Sequence, residues 1–253
     1  MVFKMFRIAS MIVLATLAFS SAAWAATCSN ASLSGTYGFL HGGTNSDGTP
    51  ATAAVSLVTF DSTTGTFTGE TTASHGGVIS TDPLTGIYVV APNCTGTGTP
   101  SGGSRFSIVV TSTGFLALHL SSEGFAVKQG SPTCTNAGVQ GSFGFETTGV
   151  FLPGSPATGA VAFIGELELT VNPSGEGVIS GNLASSEDGT FLTFGEEPVV
   201  GSYTVGTDCR GTATITPKGQ AEMHFSLLIV DGGKEMLAIE TDAGTIVSGT
   251  LQQ

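Results

Sequence analysis

The chain has 253 residues, of which 37 are glycine and only 10% are charged, and its formal net charge is −12 at pH 7. An acidic surface repels phosphate backbones and anionic lipid, so composition argues against nucleic-acid binding and against electrostatic docking on membranes. Apolar and polar residues alternate in many short runs, which favours short strands joined by tight turns over disorder.

The N-terminus predicts export. Lys4 and Arg7 precede an apolar stretch, and Ala23-Trp24-Ala25 follows as a cleavage site, which is the order of a signal peptide. We therefore expect residues 1–25 to be removed. The mature chain would carry five basic and nineteen acidic residues, with no further segment long enough to cross a bilayer. The expected location is secreted, periplasmic or at the cell surface.

An internal repeat predicts two similar domains. Residues 28–39 and 134–145 share the pattern C-x-N-A-x-x-x-G-[ST]-[YF]-G-F, and residues 86–97 resemble 201–212 in the same order. Gly124–Val127 also resembles Gly244–Val247. We place the first copy at 26–133 and the second at 134–253.

The four cysteines allow three disulfide pairings. Only pairing within each copy respects the repeat, which predicts Cys28–Cys94 and Cys134–Cys209. An exported chain can form and keep such bonds. No C-x-x-C pair and no suitably spaced histidine supports zinc, so we expect no metal and no cofactor.

Each copy is expected to hold about eight antiparallel strands. In the first copy we predict separate strands at 77–80 and 86–91, and a mobile loop at 96–102. The fold class is therefore all-β, with two tandem small antiparallel barrels, and two β-sandwiches are the alternative.

A family resemblance supports barrels. Residues 33–37 and 65–70 resemble the opening strands of avidin-type barrels, and the repeat is similar to secreted bacterial proteins that share the Cys-x-Asn-Ala opening. The resemblance implies a barrel of the avidin and lipocalin kind. It does not imply biotin, because avidin-type sites clamp biotin between tryptophans and the mature chain has none.

The candidate site residues are aromatic side chains at matched positions of the two copies, which could line a cavity or form the core: Tyr37, Phe39, Tyr88, Phe143, Phe145 and Tyr203. His41 and His119 lie in predicted strands and are interpreted as structural. Glu166 and Glu168 could form an acid–base pair or a calcium site, although alternation places Leu167 inside and both carboxylates in water.

The function predicted from these observations is binding without catalysis. The ligand would be a small apolar molecule inside a barrel, or a partner held by loops. A structural or adhesive envelope protein is the first alternative. A hydrolase or isomerase whose site the sequence does not reveal is the second.

Overall fold

The computed structural model describes residues 27–44, 50–119, 122–131, 133–155, 158–191 and 197–253. The predicted signal peptide lies outside these residues. The described residues form two closed, eight-stranded antiparallel barrels in tandem. The predicted all-β class is confirmed, with barrels rather than sandwiches.

The strands of the first barrel follow one another around it in chain order, and β8 pairs with β1 to close it. Closure pairs every edge strand, which leaves no open sheet edge. The strands are β1 (Gly35–Thr44), β2 (Pro50–Asp61), β3 (Thr66–His75), β4 (Val78–Val90), β5 (Thr95–Pro100), β6 (Phe106–Val110), β7 (Gly114–His119) and β8 (Ser122–Lys128).

The second barrel has the same order and closes where its last strand pairs with its first. One short strand, β12, pairs with β11 as an addition to the eight. The strands are β9 (Gly141–Phe151), β10 (Gly159–Val171), β11 (Gly177–Glu187), β12 (Thr190–Phe191), β13 (Glu197–Val205), β14 (Arg210–Pro217), β15 (Met223–Val230), β16 (Glu235–Glu240) and β17 (Thr245–Gln252).

Two strand predictions in the first copy are wrong. The strands expected at 77–80 and 86–91 are one strand, β4, and the loop expected at 96–102 contains β5. The glycines of β5 misled the prediction because glycine is a poor strand former. Their role is to make room. A Cβ on Gly98 would lie 2.2 Å from the ring of Phe106, its partner on β6.

The match between the ends of the two copies is also wrong. Gly124 pairs with His41 in the first barrel, and Gly249 pairs with Thr147 in the second. His41 and Thr147 each lie two residues beyond the end of the shared opening pattern. Gly124 therefore corresponds to Gly249, five residues beyond Gly244. Local similarity of a few glycine and valine residues does not fix strand register.

The two barrels pack against each other through different strands. Outward-facing residues of β1 and β2 in the first barrel meet outward-facing residues of β15–β17 in the second. An ion pair between Glu70 and Arg210 lies across the contact, and Gly244 N–H donates to the Gly77 carbonyl at 2.9 Å. The buried apolar cluster between the barrels consists of Leu40, Ala53, Val55, Leu228, Val230, Leu237, Ile239 and Ile246.

The residues through which the second barrel docks have counterparts in the first barrel that differ in exposure. Strand register places Leu116 and Leu118 of the first barrel where Leu237 and Ile239 lie in the second. Both leucines are more than half exposed, whereas Leu237 and Ile239 are fully buried against the other barrel. The face through which each barrel docks is therefore exposed to solvent in the other barrel.

Candidate functional site

One end of each barrel is closed by a short 3-10 turn before the first strand. Asn30 Oδ1 accepts the Val90 N–H at 2.8 Å, and the Tyr88 hydroxyl donates to the Asn30 carbonyl at 3.1 Å. The second barrel repeats both bonds from Asn136, at 2.8 and 2.9 Å. The asparagine of the shared pattern thus ties the turn to the strand that carries the tyrosine.

A disulfide fixes each closed end. The bonds join Cys28 to Cys94 and Cys134 to Cys209, with Cα–Cα distances of 4.9 Å in both. These are the pairs expected from the repeated order of the cysteines. Because the bonds span 66 and 75 residues, each is worth roughly 4 kcal/mol in the chain-entropy account.

Aromatic rings fill the closed half of the first barrel. Tyr37 and Tyr88 each make an edge-to-face contact with Phe60, with centroids 5.7 and 4.9 Å apart. Burial, with a smaller effect from the nearby Asp61 carboxylate, raises the pKa of Tyr88 to about 12. Both tyrosines are therefore neutral core residues here, and neither lines the cavity.

Above these rings the first barrel contains a cavity of about 250 Å³. Phe39 lines it, as do Phe106 and Phe115, and the small side chain of Ala117 leaves space across the lumen. Of the predicted aromatic set, the structure places only Phe39 at this cavity. The other lining residues include Val58, Phe60, Phe67, Leu84 and Pro100.

Polar groups occupy the upper part of this cavity. His41 stacks on Phe39 with centroids 4.7 Å apart, and its Nε2 lies 3.5 Å from the Ser56 hydroxyl, which lies 2.7 Å from that of Thr71. Burial and the proximity of His75 lower the pKa of His41 to about 4, so this ring is neutral at neutral pH. A neutral imidazole and two hydroxyls can donate or accept hydrogen bonds.

His119 faces the same cavity from β7. Its Nδ1 lies 3.5 Å from the Ser122 hydroxyl, while its Nε2 is buried without a hydrogen-bond partner in the described part of the chain. A buried nitrogen left unpaired costs free energy that a bound polar group would recover. His119 therefore supplies an unused polar contact at the wall of the cavity.

The second barrel carries larger side chains at two corresponding positions. Phe163 and Leu183 occupy the positions that Ala54 and Thr71 hold in the first barrel. The predicted residues Phe143, Phe145 and Tyr203 are all buried in its core. The same framework thus encloses interiors of different shape in the two barrels.

The remaining candidates are not brought together. Leu167 and Leu169 point into the second barrel, and Glu166 and Glu168 are exposed on its outside, as alternation indicates. His224 lies at the surface, 2.8 Å from an oxygen of Asp242. No three metal-binding side chains cluster anywhere in the described ranges.

Sequence reasoning missed Ser56, Thr71 and Glu240 as lumen-facing groups. Serine and threonine are common in most strands of this chain, so composition gives no signal for the two that line a cavity. Glu240 ends a run that is otherwise apolar, and that contrast is the one signal that could have identified it.

Within the described residues, no helix is both long and apolar enough to cross a membrane. Comparisons with models of protein families, with curated proteins and with solved structures find no match. The geometry of the two barrels is therefore what supports a function.

Proposed function

We propose that this chain is an exported binding protein that carries a small, mostly apolar ligand in its first barrel. The observation that carries the proposal is the cavity of about 250 Å³, which is walled by aromatic rings and has polar groups at one end. Ligand sites commonly combine an apolar wall with a few fixed polar groups. The relation to avidin-type and lipocalin-type barrels is part of this proposal, supported by the eight-stranded meander order.

The cavity volume limits the ligand. A cavity of about 150 Å³ accommodates benzene, so this one suits a molecule of about ten non-hydrogen atoms. The neutral His41 and the unpaired Nε2 of His119 favour a single polar substituent, such as a hydroxyl, at the upper end. We infer a fused or substituted ring with one hydrogen-bonding group.

Export is the second part of the proposal. Two disulfides indicate an oxidising environment, and the N-terminal pattern of a charged, an apolar and a small-residue segment supports secretion to the periplasm, the cell surface or the medium. The closed ends that these disulfides fix would hold the cavity preformed outside the cell.

The test uses 2-naphthol and naphthalene as probes, with binding followed by fluorescence and calorimetry. Ala117→Phe fills the lumen and is expected to weaken 2-naphthol binding at least about tenfold, or about 1.4 kcal/mol. Leu116→Phe places the same ring on the outside of the same strand and is the matched control. Native mass spectrometry of protein from its own host would identify a retained ligand.

Equal binding by the parent and Ala117→Phe would refute the carrier proposal, as would failure of both probes to bind. The polar anchor has its own measurement. His119→Phe is expected to remove the preference for 2-naphthol over naphthalene while leaving the binding of naphthalene within about threefold.

A second candidate function is assembly in the cell envelope through a second copy of the chain. The observation that favours it is the exposed patch formed by Leu116, Leu118 and Val109, whose counterparts in the other barrel are a buried docking surface. Light scattering of the parent and of Leu118→Asp tests this. A parent that stays monomeric at high concentration would exclude it.

A further inference from the structure

The second barrel has an unpaired acidic group at its open end. Glu240 is the last residue of β16 and faces the lumen, with only 2% of its surface exposed. Its Oε2 has no hydrogen-bond partner among the residues that the structure describes. Thr147, also lumen-facing, has a buried hydroxyl in the same condition. Buried polar groups are normally paired, so each such group requires an explanation.

Glu240 borders a cavity of about 580 Å³ at the mouth of this barrel. Two phenylalanine rings, those of Phe151 and Phe163, line the cavity, and so does Met223. Three further carboxylates lie around it, and no lysine or arginine is present among its described lining residues. The further carboxylates belong to Glu187, Glu222 and Asp242.

Strand register shows that the position of Glu240 is not arbitrary. Ala117 and Ala238 hold equivalent places, since each pairs with the glycine that faces β1 or β9. Two residues further on lie His119 and Glu240. Both barrels therefore place an unpaired polar atom at the same height of the lumen, an imidazole in one and a carboxyl in the other.

We propose that the second barrel binds a small organic ammonium ion with an apolar body, with the carboxylate of Glu240 as its counter-ion. The site is separate from the cavity of the first barrel and does not depend on it. Aromatic faces attract organic cations, and the surrounding carboxylates make the mouth attractive to positive charge. A desolvated carboxylate is costly unless it is paired, and the ligand would supply that pair.

The binding step must release a proton. Burial, reinforced by the charge of Asp242, raises the pKa of Glu240 to about 8, so the carboxyl of the free protein is mostly protonated at neutral pH. An ammonium ion would favour the charged carboxylate, and the proton would pass to the solvent. Glu187, Glu222 and Asp242 line the same cavity as Glu240, and His224 contacts Glu222 and Asp242. All four of these groups are retained in the variants described below.

The experiment is calorimetry on the full mature chain with phenethylammonium, and with 2-phenylethanol as a neutral probe of the same shape. Measurements in two buffers of different ionisation enthalpy give the number of protons released. We expect the ammonium ion to bind at least about tenfold more tightly than the alcohol, with release of about 0.9 proton per ligand at pH 7.

Glu240→Gln is expected to abolish both the preference and the proton release. Glu166→Gln makes the same substitution on the outside of the same barrel and is expected to change neither. Equal affinities for the two probes in the parent, or no binding of either at millimolar concentration, would overturn the proposal without reference to any variant. So would unchanged ammonium binding by folded Glu240→Gln. None of these outcomes bears on 2-naphthol in the first barrel.

Discussion

Replacing Glu240 by glutamine is expected to change how the stability of the protein depends on pH. Burial raises the pKa of this carboxyl to about 8 in the folded protein, from its ordinary value of 4.5. Between these values the folded state holds a proton that the unfolded state has lost. Stability therefore falls as pH rises across this window, by up to about 1.4 kcal/mol per pH unit.

The magnitude follows from the two pKa values. From pH 5 to pH 8, Glu240 alone is expected to lower the free energy of unfolding by about 3.5 kcal/mol. Glutamine has no proton to lose, so the stability of Glu240→Gln relative to the parent should rise by about 3.5 kcal/mol from pH 5 to pH 8. Other titrating groups, including His41 with its pKa lowered to about 4, contribute equally to both proteins and cancel in the difference.

The assay is urea unfolding at several pH values, followed by circular dichroism because the single tryptophan, Trp24, lies in the proposed signal peptide. Glu166→Gln, exposed on the same barrel, is the control and should follow the parent. Parallel pH profiles for the parent and Glu240→Gln would refute the reasoning, since they would mean that the carboxyl is as well solvated in the folded as in the unfolded chain.

Three further predictions concern the framework. Asn136→Ala should cost about 1–3 kcal/mol, because it leaves the Val205 N–H without its acceptor; urea unfolding measures this, and a loss below about 0.5 kcal/mol would contradict it. Replacing both cysteines of the second disulfide by serine should cost roughly 4 kcal/mol in the same assay. The double variant Glu146→Leu/Glu166→Leu should associate in a concentration-dependent way in light scattering, because these glutamates occupy the positions of two docking leucines; a monomer would contradict the register.

Much of the fold could be predicted because apolar and polar residues alternate along the strands of each copy. On β10, Leu167 and Leu169 point inward and alternate with polar residues that point outward, and the sequence pattern shows this directly. The repeated order of the cysteines likewise predicted both disulfide pairs. Strand β5 was not predicted because its glycines leave room for a large side chain on β6. This is a contact between strands, and no local sequence pattern reveals it.

The site could be predicted far less well. On β16, every residue from Met236 to Glu240 is buried, because its outer face packs on the first barrel while its inner face lines the second. Alternation therefore cannot distinguish the lumen from the interface. The cavity likewise depends on Ala54 and Thr71, which hold positions that larger side chains occupy in the second barrel. Recognising this requires the register of both barrels.

The two barrels dock through different faces, and this determines whether further barrels could be added in the same way to form a row. A contact between two different faces is open-ended, because each added unit presents a fresh face to the next, and such contacts generate fibres unless something stops them. Here the face that could accept a third barrel carries Glu146 and Glu166 where the first barrel has Leu40 and Leu57. Desolvating two unpaired carboxylates costs several kcal/mol each. This face of the second barrel is thus unsuited to accept another barrel in the same way, as the polar outer faces of end repeats are in solenoid proteins.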